Sequence, residues 1–130
     1  MSRARILVVD DDPELLEALR LRLRSGGYEV HTAGDGVQAT RLARRERPDL
    51  VVLDIGMPGG DGHTVAQRLK GDPVTMFLPI IFLTARTNEI DFERARQTGV
   101  EKYLTKPFQV DELLLAVDEL IERSTQSAAV

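Results

Sequence analysis

The sequence predicts an α/β protein in which a parallel five-stranded sheet is doubly wound, with helices on both faces. Two observations carry this. Five short apolar runs alternate with longer amphipathic segments, the pattern of strands joined by helical crossovers. A run such as Leu50-Val51-Val52-Leu53 is apolar at successive residues, as a strand covered on both faces requires. Right-handed crossovers then make the sandwich the natural solution. Five helices are expected with the five strands.

The first run, Ile6-Leu7-Val8-Val9, is rich in β-branched residues and is ended by acids. It reads as a buried strand. Asp12-Pro13-Glu14 starts a helix, with Asp12 as N-cap and proline at the first helical position. Leu15, Leu16, Leu19 and Leu23 give that helix one inward face, and Gly26-Gly27 ends it. Residues Tyr28 to Ala33 predict a second strand, Gly34-Asp35-Gly36 a turn, and Val37 to Arg45 a second helix stopped by Pro48. Within it Arg41, Arg44 and Arg45, with Arg47 just beyond, read as a solvated face.

Leu50 to Leu53 is the third strand. The segment Gly56 to Gly62 holds four glycines and one proline and is a loop. A short helix over His63 to Lys70 follows, and Asp72-Pro73 turns the chain. Pro79 to Leu83 is the fourth strand, Asn88 to Gln97 a weakly amphipathic helix ended by Gly99, and Glu101 to Thr105 the fifth strand. Val110, Leu113, Leu114, Val117, Leu120 and Ile121 mark a last helix with a strong apolar stripe. One domain over 1–123 is expected, with 124–130 a polar, frayed tail or the start of a linker.

Composition excludes several classes of function. With no cysteine, disulfides, thiolate metal sites and thiol nucleophiles are absent. No apolar run approaches the ~20 residues that span a bilayer, and the N-terminus lacks the shape of a secretory signal. No membrane contact and a cytoplasmic location are therefore expected. Seventeen basic against 21 acidic side chains leave a net charge of −4, which argues against direct nucleic-acid binding. There is no Gly-x-x-x-x-Gly-Lys-Ser/Thr loop, and Asp-Asp-Asp-Pro stands where a dinucleotide fingerprint would need glycines. His31 and His63 lack metal-ligand spacing and read as surface or turn residues.

In a doubly wound sheet, ligands bind outside the carboxyl ends of the strands. Asp10-Asp11 ends the first strand, Asp54 the third, Thr84 the fourth and Lys106-Pro107 the fifth. Adjacent carboxylates repel each other, and crowding them at such an edge is costly without a cation. Three carboxylates with no softer ligand make a hard oxygen site that suits Mg²⁺. A lysine supplies a compact positive charge for a phosphoryl group, and a threonine hydroxyl can donate to its oxygens. A carboxylate in their midst is a candidate phosphoryl acceptor.

These residues resemble the receiver domain of bacterial two-component response regulators. The matching segments are Ile6 to Pro13, Leu50 to Gly62, Pro79 to Ala85 and Tyr103 to Phe108. The resemblance implies a flavodoxin-like strand order 2-1-3-4-5 with five helices, and it implies that Asp54 is phosphorylated by a phosphohistidine of a sensor histidine kinase or histidine phosphotransfer protein. It implies Mg²⁺ as cofactor, held by Asp11, by Asp10 through water, by Asp54 and by the backbone carbonyl of Gly56. Lys106, Thr84 and Ala85 match phosphoryl-binding positions, and the Lys106–Pro107 bond is expected to be cis. Thr84 and Tyr103 match a switch pair that reshapes the fourth helix, fifth strand and fifth helix for a downstream protein or effector domain. Phosphorylation would bias a two-state equilibrium. The domain would assist its own phosphorylation and dephosphorylation rather than act as an enzyme on other substrates. A homodimer through the last two helices is open.

Gly56 departs from most relatives, which carry a side chain there, and Arg86 lies two residues after Thr84; the resemblance implies that both positions tune how readily water reaches the phosphoryl group, and the open Gly56 position is expected to alter phosphoryl lifetime. Two other functions stand beside the switch. An aspartyl-phosphate phosphatase would want a carboxylate two residues after the nucleophile, where residue 56 is glycine. A degenerate receiver would act only as an interaction module. No effector segment follows Ile121, so either a stand-alone receiver or part of a longer protein is expected.

Overall fold

The computed structural model describes residues 3–56, 62–84, 93 and 96–128. The strands are β1 (Arg5–Val9), β2 (Glu29–Ala33), β3 (Leu50–Asp54), β4 (Ile80–Thr84) and β5 (Lys102–Thr105). They form one sheet in the order β2-β1-β3-β4-β5, with every pair parallel. The helices are α1 (Pro13–Ser25), α2 (Gly36–Glu46), α3 (Gly62–Lys70), a fourth (α4) of which 93 and 96–98 are described as helical, and α5 (Val110–Ala128).

Alternation along each strand divides the core in two. Leu7, Val9, Val51, Leu53, Ile80 and Phe82 face α2 and α3, meeting Ala39, Ala43, Val65, Ala66 and Leu69. Ile6, Val8, Leu50, Val52, Ile81 and Leu83 face the other way, onto Leu19 and Leu23 of α1 and Leu113, Val117 and Leu120 of α5. The register pairs Val9 with Leu53 and Leu53 with Phe82. Strand ends are thereby aligned along one edge.

Local signals set the element boundaries. Asp12 accepts from the amides of Glu14 and Leu15, at 3.0 and 3.4 Å, and caps α1. Asp35 caps α2 by accepting from Gln38 N at 2.8 Å. Each strand boundary lies within a residue of the sequence reading, with β4 shifted one residue onward to end on Thr84.

Two expectations need correction. The apolar stripe of α5 ends at Ile121, but the helix runs on to Ala128. No glycine or proline stands between Glu122 and Val130 to stop it, and a solvated helix needs no apolar face to continue. His63 is not a surface residue: it is 2% exposed, and its ring meets Phe82 edge-on at 5.1 Å between centroids. It occupies the inward face of α3, one turn before Ala66. His31 lies half-buried on β2, with Nε2 3.3 Å from a Glu29 carboxylate oxygen. Among the described residues, no helix is long and apolar enough to cross a membrane.

Candidate functional site

The carboxyl edge of the sheet gathers charge that the rest of the core excludes. Asp10 follows β1 and is fully buried. Its amide donates to Ala33 O at 3.1 Å, fixing it against β2. One carboxylate oxygen accepts from Asp12 N at 3.0 Å, and the other from Lys106 Nζ at 2.8 Å. Asp54 closes β3 and is 6% exposed. Its Oδ1 accepts from Gly56 N at 3.1 Å, and its Oδ2 lies 3.6 Å from Lys106 Nζ. Asp11 is exposed, yet Asp10, Asp11 and Asp54 each place a carboxylate oxygen within 4.8 Å of the others'.

Burial pushes the Asp54 carboxyl above its ordinary range, and Asp10 and Asp11 push the same way. The Gly56 amide and the Lys106 ammonium oppose this without cancelling it. For Lys106, burial alone would lower the pKa, but the hydrogen bond to Asp10 and the charges of Asp54 and Asp10 raise it overall. Lys106 therefore holds its proton firmly. Three carboxylates against one ammonium leave two formal negative charges uncompensated in one pocket. The donors are all hard oxygens, so the pocket fits a divalent cation of the oxygen-binding kind.

Thr84 ends β4, is 3% exposed and accepts the Lys106 amide at its carbonyl, at 2.6 Å. The Lys106–Pro107 peptide is cis. Tyr103, on β5, is 42% exposed. Asp10, Asp11, Asp54, Gly56 and Lys106 are thus brought together at the edge where Thr84 ends. Ala85, Arg86, the 57–61 loop and most of the expected fourth helix lie outside the described residues.

The sequence reading gave Gly62 no role beyond its loop. A β-carbon there would meet Ile55 Cα at 2.6 Å and the Asp54 carbonyl oxygen at 2.7 Å. Only glycine lets α3 start against the turn that carries Asp54. The available signal was position: a glycine at the exact junction of a glycine-rich loop and an apolar-faced helix.

A family model described as the response regulator receiver domain matches residues 6–118. The DNA-binding dual master transcriptional regulator RpaA of Synechocystis is 41% identical over 120 residues, covering 92% of this chain and 50% of its own length. The chain spans about half the length of the curated relatives it matches. Chemotaxis protein CheY4 of Vibrio cholerae superposes with a TM-score of 0.87 at 29% identity, covering 92% of this chain and 99% of that one. The receiver domain of sensor histidine kinase PA1611 from Pseudomonas aeruginosa, solved with magnesium in its active-site cleft, gives 0.84 at 35% identity, covering 93% and 99%. The expectation that nucleic acid is not a direct partner finds no support among relatives named as DNA-binding.

Proposed function

The chain belongs to the response regulator receiver domain family, a phosphoacceptor signalling domain of two-component systems, and from this premise we propose how its acidic pocket works. Asp54 accepts a phosphoryl group from a phosphohistidine of a sensor histidine kinase or phosphotransfer protein. The observation that carries this is the convergence of the Asp54 carboxylate with two further carboxylates and the Lys106 ammonium, 3.6 Å from Asp54 Oδ2.

Mg²⁺ would be held by Asp10, Asp11, Asp54 and the Gly56 carbonyl, and when bound it supplies positive charge to the oxygens of the transferring group. The chain's own groups do the rest. An Asp54 oxygen attacks phosphorus, the phosphorus–nitrogen bond of the donor breaks, and the imidazole leaves with the bonding pair and is protonated. The Gly56 amide orients the carboxylate through Oδ1, leaving Oδ2 for attack. Lys106, already within 3.6 Å, follows charge from the carboxylate to the new phosphoryl oxygens.

Phosphorylation adds close to two negative charges and new acceptor oxygens. The Thr84 hydroxyl and Lys106 satisfy them, and Tyr103 has solvent-side room from which to turn inward. That differential contact biases two conformers of the α4–β5–α5 surface, which a downstream protein or effector domain reads. The names of relatives such as RpaA support a DNA-binding effector region as one such reader.

Incubation with Mg²⁺ and a small phosphodonor, followed by intact-mass measurement, tests the reading. One phosphoryl group is gained, and none in Asp54→Ala or without the cation. Undiminished uptake by Asp54→Ala would remove Asp54 from the role.

A further inference from the structure

Five of the 17 basic residues of this net-acidic chain line one groove of about 620 Å³ between α2, α3 and the turn after α3: Arg41, Arg44, Arg45, Arg47 and Arg68. Helix dipoles explain part of this, since Arg44, Arg45 and Arg68 stand in last turns. Ion pairing explains part: Arg44 meets Asp72 at 3.2 Å and Arg45 meets Glu46 at 2.9 Å. Arg47, at the C-cap of α2, shares the dipole account, Arg41 has neither, and among the described residues no ion pair reaches Arg41, Arg47 or Arg68. Arg47 is also the one described non-glycine residue at positive φ, 47°, a conformation that favours glycine.

Apolar exposure gathers at the same place. Val37 and Val74 line the groove, 58% and 44% exposed, and Met76 and Phe77 follow Val74 at 41% and 86%. Among the described residues, four of the seven exposed large hydrophobics thus belong to α2 and this one turn. A phosphate ligand would use the guanidinium groups and leave these side chains without purpose. A nucleic acid would do the same, against a net charge of −4. An arginine-lined groove with exposed valines, followed along the chain by exposed Met76 and Phe77, has the mixed composition of a protein interface, and its charge calls for carboxylates.

We infer that the α2–α3 groove is a docking site for an acidic segment of a protein partner, one that sets Asp and Glu side chains against the arginines and apolar side chains against Val37, Val74 and Phe77. Helices run back against parallel strands, so the C-terminal ends of α2 and α3, with Arg44, Arg45, Arg47 and Arg68, lie toward the sheet edge opposite Asp54, and only Val37, at the start of α2, lies toward the Asp54 edge. Docking there is independent of the phosphoacceptor.

The test is selection of a displayed library of random 12-residue peptides on the immobilised chain, then fluorescence anisotropy with synthesised winners. The expected winners combine several Asp or Glu with Leu, Ile or Phe, and weaken as salt rises. Their affinity falls at least tenfold in Arg41→Glu/Arg68→Glu and severalfold in Phe77→Ser, and is unchanged in Asp54→Ala. Circular dichroism checks each fold, and Arg41→Gln/Arg68→Gln replaces the charge reversal if that variant does not fold. Winners without acidic excess, or equal affinity for the arginine variants, would overturn the inference. So would selective groove-dependent binding of inorganic triphosphate or duplex DNA with no bound peptide.

Discussion

Replacing Gly62 with alanine separates the scaffold's part in the site from the chemistry. The added β-carbon would stand 2.6 Å from Ile55 Cα, 2.7 Å from the Asp54 carbonyl oxygen and 2.9 Å from Ile55 Cγ2. Carbon contacts are comfortable at about 3.5–4.0 Å, so close to an ångström must be recovered. Two of the three atoms are backbone, which cannot rotate away. Overpacking of this kind costs about 1–3 kcal/mol, and alanine's better helix propensity returns at most about 1 kcal/mol. The net loss expected is about 1–2 kcal/mol, a fall in Tm of roughly 3–8 °C for a domain of this size.

The matched control is Gly56→Ala, whose β-carbon would meet, among the described residues, only Asp54 Oδ1, at 3.7 Å. It is expected to stay within about 0.5 kcal/mol of the parent. Thermal unfolding by circular dichroism without metal ranks the three proteins. Intact mass after a timed exposure to a small phosphodonor then shows slower uptake in Gly62→Ala, because the strand end that must yield carries Asp54, the proposed acceptor. A Gly62→Ala protein as stable as the parent, or one no less stable than Gly56→Ala, would refute the close-packing argument.

Three more outcomes follow from the same geometry. Asp54→Asn removes one of three crowded carboxylates and is expected to gain about 0.5–2 kcal/mol in metal-free urea denaturation; a less stable variant would show that crowding is not costly there. Lys106→Met takes the 2.8 Å partner from the fully buried Asp10 carboxylate, costing about 2–4 kcal/mol, somewhat below a fully buried pair because Lys106 is 26% exposed; added Mg²⁺ should recover part of that loss, and no recovery would count against a cation in this pocket. Burial, with help from its hydrogen bond to Asp118, raises the Tyr28 phenol pKa, so its stabilisation is full below the free phenol's value of about 10 and is lost as alkali removes the proton; Tyr28→Phe should cost about 1 kcal/mol near neutrality and show a shallower alkaline decline than the parent.

The centre of the sheet was legible because β1, β3 and β4 are short apolar runs rich in Val or Ile. The acids and the lysine were legible because the carboxyl edge of a parallel sheet is a fixed address: once Ile6–Val9 and Leu50–Leu53 are neighbours, Asp10 and Asp54 must be too. What escaped depended on contacts between helices or between a helix and a turn. His63 has no periodic mark apart from Ala66 one turn on, and its burial follows from how closely Gly62 lets α3 approach β3. The arginines of α2 read as a solvated face because sequence alone does not set Arg68 of α3 across from them. The tail of α5 escaped because helix continuation needs only the absence of a breaker.

The two halves of the core explain why one edge can carry so much uncompensated charge. Both faces of β1 and β3 are sealed by helices, so Asp10 and Asp54 cannot swing into solvent without pulling Val9 and Leu53 from their places. The carboxylates stay close whatever their charge state, and the repulsion remains in the folded protein. If Asp54 is the acceptor, this makes the pocket sensitive to what binds it: a cation, the Lys106 ammonium and a phosphoryl group each change a balance that the sheet does not let relax. If Thr84 and Tyr103 form the switch proposed for them, this change of balance is what they read at the ends of β4 and β5. A softer scaffold would absorb the same charge by local displacement and pass nothing on.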